Sequence, residues 1–332
     1  MERREKILNG LNVATMSGIE IGPLAWPIVR KSDGDITYVD FTDADTLRKN
    51  HGPAGRVPID QIVEVDAIWG ANTLQQAIGE QRKVDYIIAS HVVEHVPDLL
   101  EWLEELRAVL KPGGQIRLVV PDRRFTFDYL RRETKAEDVL AAHAIKARVP
   151  QPQQILEYFL NYVDVDRMAA WKGTLGDLKP NTTVQQAMAL VESALKGEYN
   201  DVHCWVFTPK SIGSLFARLA KDGLIDLECT HFQDTDFGEY EFFVGLRSCE
   251  DREQVVSSWE AVAASAIDLV DPKDVEIETL LTEVARLAEK VASIETERAA
   301  ATAEITALRT STSWVMTKPL RAVSERLRRS TQ

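Results

Sequence analysis

The chain has little that would tie it to an oxidising compartment, a membrane core or nucleic acid. Only Cys204, Cys229 and Cys249 occur in 332 residues, and no two of them form a CxxC pair. That sparsity excludes a disulfide framework and a cysteine-based structural zinc site, and it fits a reducing compartment. No apolar run reaches the roughly 18 residues of a membrane span. The charged start, Met1 to Lys6, lacks the apolar segment of a secretory signal. A cytoplasmic protein is expected. Positive charge is short as well: 39 Lys and Arg stand against 52 Asp and Glu, a formal net charge of −13. Phosphate backbones need clustered cations, so a nucleic-acid partner is not expected. The GxGxxG turn that seats a pyrophosphate on a helix N-terminus is also missing, which disfavours a dinucleotide dehydrogenase.

What is present is an alternation of short apolar runs and helical patterns. Strands are expected at Gly18–Ile21, Ile36–Asp40, Ile62–Asp66, Val84–Ser90 and Ile116–Val120. Helical stretches lie between them, at Asp43–Asn50, Thr73–Ile78 and Leu99–Leu110. This spacing means βαβ units and a mostly parallel sheet. From Pro121 to about Asn200 the strand signal vanishes and a helical insertion is expected. Strand signals return at Val202–Phe207. Thr208-Pro209 then caps a helix to Lys221, and Ile225–Thr230 with Glu241–Leu246 read as an antiparallel closing hairpin.

The C-terminal part has another period. Ile277, Val284, Val291 and Ile305 recur every seventh residue, and Leu280, Leu287, Ile294 and Leu308 sit three after an a position. These are the a and d positions of a heptad repeat, interrupted at Arg298 and Ala301. A homo-oligomer through a coiled coil is expected; the bland alternative is one amphipathic helix folded back on the body. The last stretch sets Trp314, Leu320, Val323 and Leu327 against Arg326, Arg328 and Arg329. That is the pattern of a peripheral helix on anionic lipid, or else of a solvated basic tail.

In open α/β sheets, ligands bind at the carboxyl ends of the strands. The expected strand ends here carry Glu20 and Gly22, Asp40, Asp66 with Ala67, and Ser90 with His91. A strand-end carboxylate can accept from both hydroxyls of a ribose, and the apolar run Ala67-Ile68-Trp69 suits an adenine. Together they describe a nucleoside-type ligand lying across the sheet edge. For an acceptor above the fourth and fifth strands, the candidates are His91, His95, Asp122, Arg123, Arg124, Asp128, His143 and His203. A histidine is the usual group for taking a hydroxyl proton near neutral pH, so His95, His143 and His203 are the catalytic candidates. His91 and His95 lack a third zinc ligand, and magnesium at Asp122 and Asp128 is the weaker reading of those carboxylates. No metal is expected. Arg123, Arg124, Arg131 and Arg132 read either as a solvated face or as a patch for an anionic acceptor.

The runs Glu20-Ile-Gly22, Tyr38-Val-Asp40, Ile88-Ala-Ser-His-Val-Val-Glu-His95 and Leu110-Lys-Pro-Gly-Gly114 resemble those of the class I S-adenosylmethionine-dependent methyltransferases. The resemblance covers roughly residues 15 to 125, with a matching hairpin near 202 to 248. It implies a Rossmann-like α/β sheet, mostly parallel with an antiparallel last strand, and S-adenosylmethionine as cofactor. It further implies Glu20 and Gly22 beside the methionine moiety, Asp40 on the ribose, Asp66 and Ala67 near the adenine, and Ser90 and His91 near the methionine end. The family's Gly-x-Gly-x-Gly turn is replaced by Gly22-Pro23-Leu24-Ala25, in which proline removes an N–H donor. On this reading residues 1–250 form the methyltransferase domain, with the insertion at about 122–200. A linker at 251–273, a coiled coil at 274–310 and a basic amphipathic tail at 311–332 follow.

The tail, Ser-x-Ser-Trp followed by Pro-Leu-Arg after a coiled coil, is similar to those of bacterial enzymes that build cell-surface polysaccharides. With Pro121-Asp-Arg-Arg-Phe-Thr-Phe-Asp128 it favours O-methylation of a sugar hydroxyl on a surface glycan or its lipid-linked precursor, at the inner membrane face. The alternatives are a methyltransferase for a small lipid or metabolite, and a non-catalytic methyltransferase-like scaffold organised by its coiled coil.

Overall fold

Runs of β-branched and aromatic residues, apolar on both faces, build the centre of the molecule. The structure is a computed structural model. It describes residues 2–329 apart from Pro53, Ala54, Arg56, Tyr199 and 268–271, with the side chains of 272–278 and 324–329 also outside the description. Two compact units are present, Met1–Val270 and Asp271–Gln332.

In the first unit, α1 (Arg3–Ile7) precedes β1 (Ser17–Ile21), β2 (Asp35–Asp40), α2 (Ala44–His51), β3 (Ala67–Ile68), α3 (Leu74–Ile78), β4 (Val84–Ser90), α4 (Leu99–Ala108) and β5 (Leu110–Pro121). The insertion carries α5 (Ala136–Ala144), α6 (Pro152–Asn161), α7 (Arg167–Trp171) and α8 (Val184–Leu195). Then come α9 (Pro209–Lys221), β6 (Leu227–Gln233), β7 (Glu241–Ser248) and α10 (Arg252–Ser265). The seven strands run in the order β3-β2-β1-β4-β5-β7-β6. Pairings from β3 across to β5 are parallel, whereas β7 is antiparallel to both β5 and β6. Strand order reverses between β1 and β4. Such a switch point opens a crevice at the strand ends.

Local signals set several boundaries. Asp43 accepts the Thr46 N–H and caps α2, and Thr73 forms a capping box with Gln76 at α3. Thr208 does the same for α9, with Pro209 as the first helical residue. The β1–β2 crossover, residues 22–34, contains no helix. Gly22 turns it with φ +64°, and Leu24 follows in the left-handed region at φ +46°. A left-handed leucine is strained.

The structure corrects the expected elements at four places. The third strand is Ala67–Ile68, not Ile62–Asp66: the Asp66 and Trp69 N–H groups bond the Tyr38 and Asp40 carbonyls, so pairing with β2 starts only after Asp66. The fifth strand begins at Leu110, because Leu110 already pairs with Val84; Lys111 to Gly114 bulge out before pairing resumes at Gln115. Val202–Phe207 is not a ladder strand. It touches the sheet by one bridge, Phe207 to Asp122, and otherwise threads past residues 94–96. The expected linker at 251–273 contains α10, which packs on α9. Trp259 of α10 is fully buried against Phe216 at 4.6 Å, and its Nε1–H donates to the Leu227 carbonyl. Gly213 makes that approach possible, since a Cβ there would lie 2.6 Å from the Ala263 nitrogen. The main core lies between the sheet and α4, α9 and α10, around Ile87, Leu103, Leu118, Phe216 and Leu246.

The second unit is helical, with α11 (Pro272–Thr310), α12 (Thr312–Met316) and α13 (Lys318–Arg329). The heptad side chains Leu280, Val284, Leu287, Val291, Ile294, Ile305 and Leu308 are all exposed. Ile277, Arg326, Leu327, Arg328 and Arg329 belong to the stretches whose side chains lie outside the described residues. Among the described residues, no helix is long and apolar enough to cross a membrane.

Candidate active site

The carboxyl ends of β1, β2 and β4 hold five of the expected ligand residues, Glu20, Gly22, Asp40, Ser90 and His91. Glu20 is buried and accepts the backbone N–H groups of Ile28 and Val29 at 2.7 and 3.0 Å. Both oxygens are spent on ordering the crossover loop, so Glu20 shapes the site from behind. Burial pushes its pKa up to about 7, against those two hydrogen bonds. Gly22 needs to be glycine: its φ is positive, and a Cβ would sit 3.3 Å from Val92 Cγ2. Asp40 ends β2 with its Oδ1 accepting the Phe41 N–H at 2.8 Å. Burial raises its pKa to about 6. Ile68, its register partner on β3, is exposed.

Asp66 does not belong with these residues. It lies before β3, and one oxygen accepts the Tyr38 N–H at 2.7 Å and meets Lys31 Nζ. The shortened third strand is the reason. Ala67 is buried inside the β2–β3 pairing. The position beside Asp40 therefore belongs to Ile68, with Trp69 following it and donating to Glu105 at 2.9 Å. Asp66 instead lines an open cavity of about 890 Å³ with Trp26, Lys31 and Tyr38, which includes none of Gly22, Asp40, Ser90 or His91.

Ser90 and His91 enter a charge network that the sequence reading did not foresee. Arg3 of α1 donates to Ser90 Oγ at 2.8 Å and to Glu241 at 2.6 Å. Glu241 also meets His91 Nε2 at 2.7 Å. Because β7 is antiparallel, its first residue lies at the carboxyl ends of the parallel strands; that topology is the signal that would have found Glu241. Burial opposes charge on His91, but Glu241 and Glu94 override it and raise its pKa to about 9. His91 itself adopts φ +54°, an uncommon strain for a non-glycine residue.

Past the β4 end the chain assembles a second group. The Glu94 carbonyl accepts the N–H groups of Cys204 and Trp205, and the Trp205 indole donates to the Val96 carbonyl. These bonds fasten segment 202–205 beside 94–96 and bring His203 next to His95, with ring centroids 4.7 Å apart. His203 Nδ1 hydrogen-bonds Asp128 at 2.6 Å. Asp128 is held in turn by the buried Arg131 at 2.8 Å. Phe127 and Tyr158 pack on His203, and Phe127 stacks in turn on Tyr162 at 4.9 Å. Between the two histidines lies Glu94, fully buried. Burial alone would raise its pKa; the imidazoles of His91, His95 and His203 hold it below the ordinary carboxylate value.

His143 does not join this group. Its Nδ1 faces Asp98, the cap of α4, at 3.1 Å. The four arginines are not a free patch either. Arg131 is buried on Asp128, Arg124 clasps Asp122, Arg132 pairs with Asp138, and Arg123 donates to the Arg131 carbonyl. Asp122 is occupied by Arg124 and Thr235, which removes the magnesium reading at Asp122 and Asp128.

A family profile described as a methyltransferase domain matches residues 22–220, more than half of the chain. The chain belongs to this methyltransferase family. Membership brings the cofactor implied by the sequence resemblance, S-adenosylmethionine. No curated protein sequence matches. Remote likenesses exist among solved structures. The CcbJ methyltransferase from Streptomyces caelestis is 11% identical, with 74% of this chain and 94% of that chain covered and a TM-score of 0.34. A methyltransferase from Methanosarcina mazei is 14% identical over 73% and 96%, with a TM-score of 0.35. DhpI, solved with SAH, is 14% identical over 70% and 77%, with a TM-score of 0.32. The assignment rests on the profile match. The site fits the cofactor at Gly22, Asp40 and Ile68: a close-approach turn, a carboxylate at the strand mouth and an apolar face opposite it. It differs in two respects: Gly22-Pro23-Leu24 replaces the glycine-rich turn, and no helix follows β1 before β2.

Proposed function

We propose that this methyltransferase is an O-methyltransferase acting on a sugar hydroxyl of a surface glycan or its lipid-linked precursor. The observation that carries the reading is the pair His95–His203, walled by aromatic rings and set just beyond the cofactor-side end of β4. When bound, S-adenosylmethionine supplies a methyl group activated on a sulfonium. Asp40 would accept from the ribose hydroxyls, Ile68 and Trp69 would flank the adenine, and the Gly22 backbone would hold the methionine end. Phe127, Tyr158 and Tyr162 offer flat apolar faces to the C–H faces of a sugar ring. The cofactor would supply the methyl group to the acceptor oxygen, and the His95–His203 pair would take the proton that the hydroxyl gives up. Orienting the two reactants contributes most of the rate. His91, held as a cation between Glu241 and Glu94, anchors the β4 turn and takes no proton.

Exposed Trp314, Leu320 and Val323, with Arg321 stacked on Trp314 at 3.8 Å, support contact of the tail with an anionic membrane, where carrier lipids hold such chains. The test is transfer of labelled methyl from S-adenosylmethionine to three acceptors: a carrier-lipid-linked glycan in anionic vesicles, the same glycan free, and a quinol-type phenol. Label in both glycans, with the vesicle-bound one lost in a chain ending at Ser313, supports the reading. Label confined to the phenol overturns it.

A further inference from the structure

We propose that Glu94, His95 and His203 bind a divalent first-row metal ion of the zinc class. One oxygen or nitrogen from each of the three residues lies within 4.8 Å of the others. The geometry is more specific than proximity. Both imidazoles turn Nε2 toward the same Glu94 oxygen, each at 4.0 Å. Both have the other ring nitrogen against a carboxylate: His203 Nδ1 is 2.6 Å from Asp128, and His95 Nδ1 is 2.8 Å from Asp201. At His203 the hydrogen bond to Asp128 fixes the tautomer that leaves Nε2 with its lone pair free, the usual outer shell of a histidine metal ligand, while at His95 Asp201 stands as the ion-pair partner of Nδ1.

A second observation is independent of the histidines. Neither carboxylate oxygen of Glu94 has a hydrogen-bond partner, although the residue is completely buried. A buried, unpartnered carboxylate is costly unless something cationic meets it. The His91 cation stands nearest, with Nδ1 3.5 Å from Oε1, an ion pair without hydrogen-bond geometry that leaves both Glu94 oxygens with acceptor capacity. A tetrahedral ion with bonds of 2.0 to 2.1 Å holds its ligand atoms about 3.3 Å apart. Each His–Glu separation must therefore close by about 0.7 Å, within reach of small side-chain rotations. Two imidazoles and one carboxylate select zinc, iron, cobalt or nickel over magnesium or calcium. Three protein ligands leave a fourth position open. An acceptor hydroxyl bound there would be acidified by the ion and would release its proton to solvent, because both imidazoles are then ligands and take none. This last step rests on the proposed function; the binding of the ion does not.

The experiment uses full-length protein stripped with a chelator, dialysed against Zn²⁺ and analysed for bound metal. We expect one ion per chain, an affinity loss of at least about tenfold in His95→Ala and in His203→Ala, and a loss of about 10- to 100-fold in Asp128→Asn. Glu94→Gln keeps the shape of the buried side chain and is expected to lose the ion as well, while His143→Ala keeps it. Circular dichroism and S-adenosylmethionine affinity report on the fold of each variant. Failure of the wild type to bind Zn²⁺, or equal binding by His203→Ala, overturns the proposal. Methyl transfer that persists in chelated protein overturns the acidification of the acceptor by the ion and leaves the proposed function standing. Bound metal without transfer to a glycan does the reverse.

Discussion

Asp40 shows how one residue's environment sets a measurable property. Its carboxyl is buried at the mouth of β2, and burial raises its pKa to about 6. Below that pH the folded protein holds a neutral acid, which has one fewer acceptor for ribose hydroxyls; above it the carboxylate accepts from both. S-adenosylmethionine affinity is therefore expected to fall as pH drops through about 6, by about tenfold between pH 7.5 and pH 5. Asp40→Asn should bind weakly and show no such step. Calorimetric titrations across this range check it, and an unchanged wild-type affinity at pH 5 would remove Asp40 from the cofactor site. Glu20, the neighbouring strand-end acid, belongs to the fold instead, because backbone N–H groups occupy both its oxygens.

Elements were legible where the local pattern was decisive. The β1, β2 and β4 runs, the Asp43, Thr73 and Thr208 caps, and the closing hairpin are all written in short-range chemistry. The third strand was misplaced because Ile62–Asp66 has the composition of a strand, but ladder pairing with β2 begins only at Ala67. Val202–Phe207 was misread for a related reason: its backbone bonds go to residues 94, 123 and 134 rather than into a sheet ladder. The active-site group was half legible. His95 and His203 stood out as residue types, whereas their meeting depends on that threading, which no local pattern encodes. Arg3 and Glu241 were missed because only the strand order brings them to β4. On α11, the exposed a and d side chains leave an apolar stripe uncovered on a single chain. We expect a second copy to cover it as a coiled coil. Sedimentation of the full chain should give an oligomer, and a chain ending at Val270 a monomer. Equal states for the two would show that the heptads do not assemble the protein.

At the scale of the whole molecule, the chain joins a methyltransferase sheet to a separate helical unit. In the function proposed above, the sheet's switch point carries a cofactor end, at Gly22, Asp40 and Ile68, and an acceptor end, at Glu94, His95 and His203. The two ends meet at the β4 turn, where His91 is pinned by Glu241 and Arg3 closes the edge from the N-terminus. The family's glycine-rich turn is replaced here by Gly22-Pro23-Leu24, and the crossover to β2 is irregular. Whether that substitution preserves cofactor binding is what the account stands on. The most direct measurement is a calorimetric titration of the full-length protein with S-adenosylmethionine at pH 7.5, repeated with Asp40→Ala. The account predicts saturable binding to the wild type, weakened by about 10- to 100-fold in the variant, as expected for loss of hydrogen bonds to a charged group. No binding at millimolar cofactor, or equal affinity in the two proteins, would contradict it.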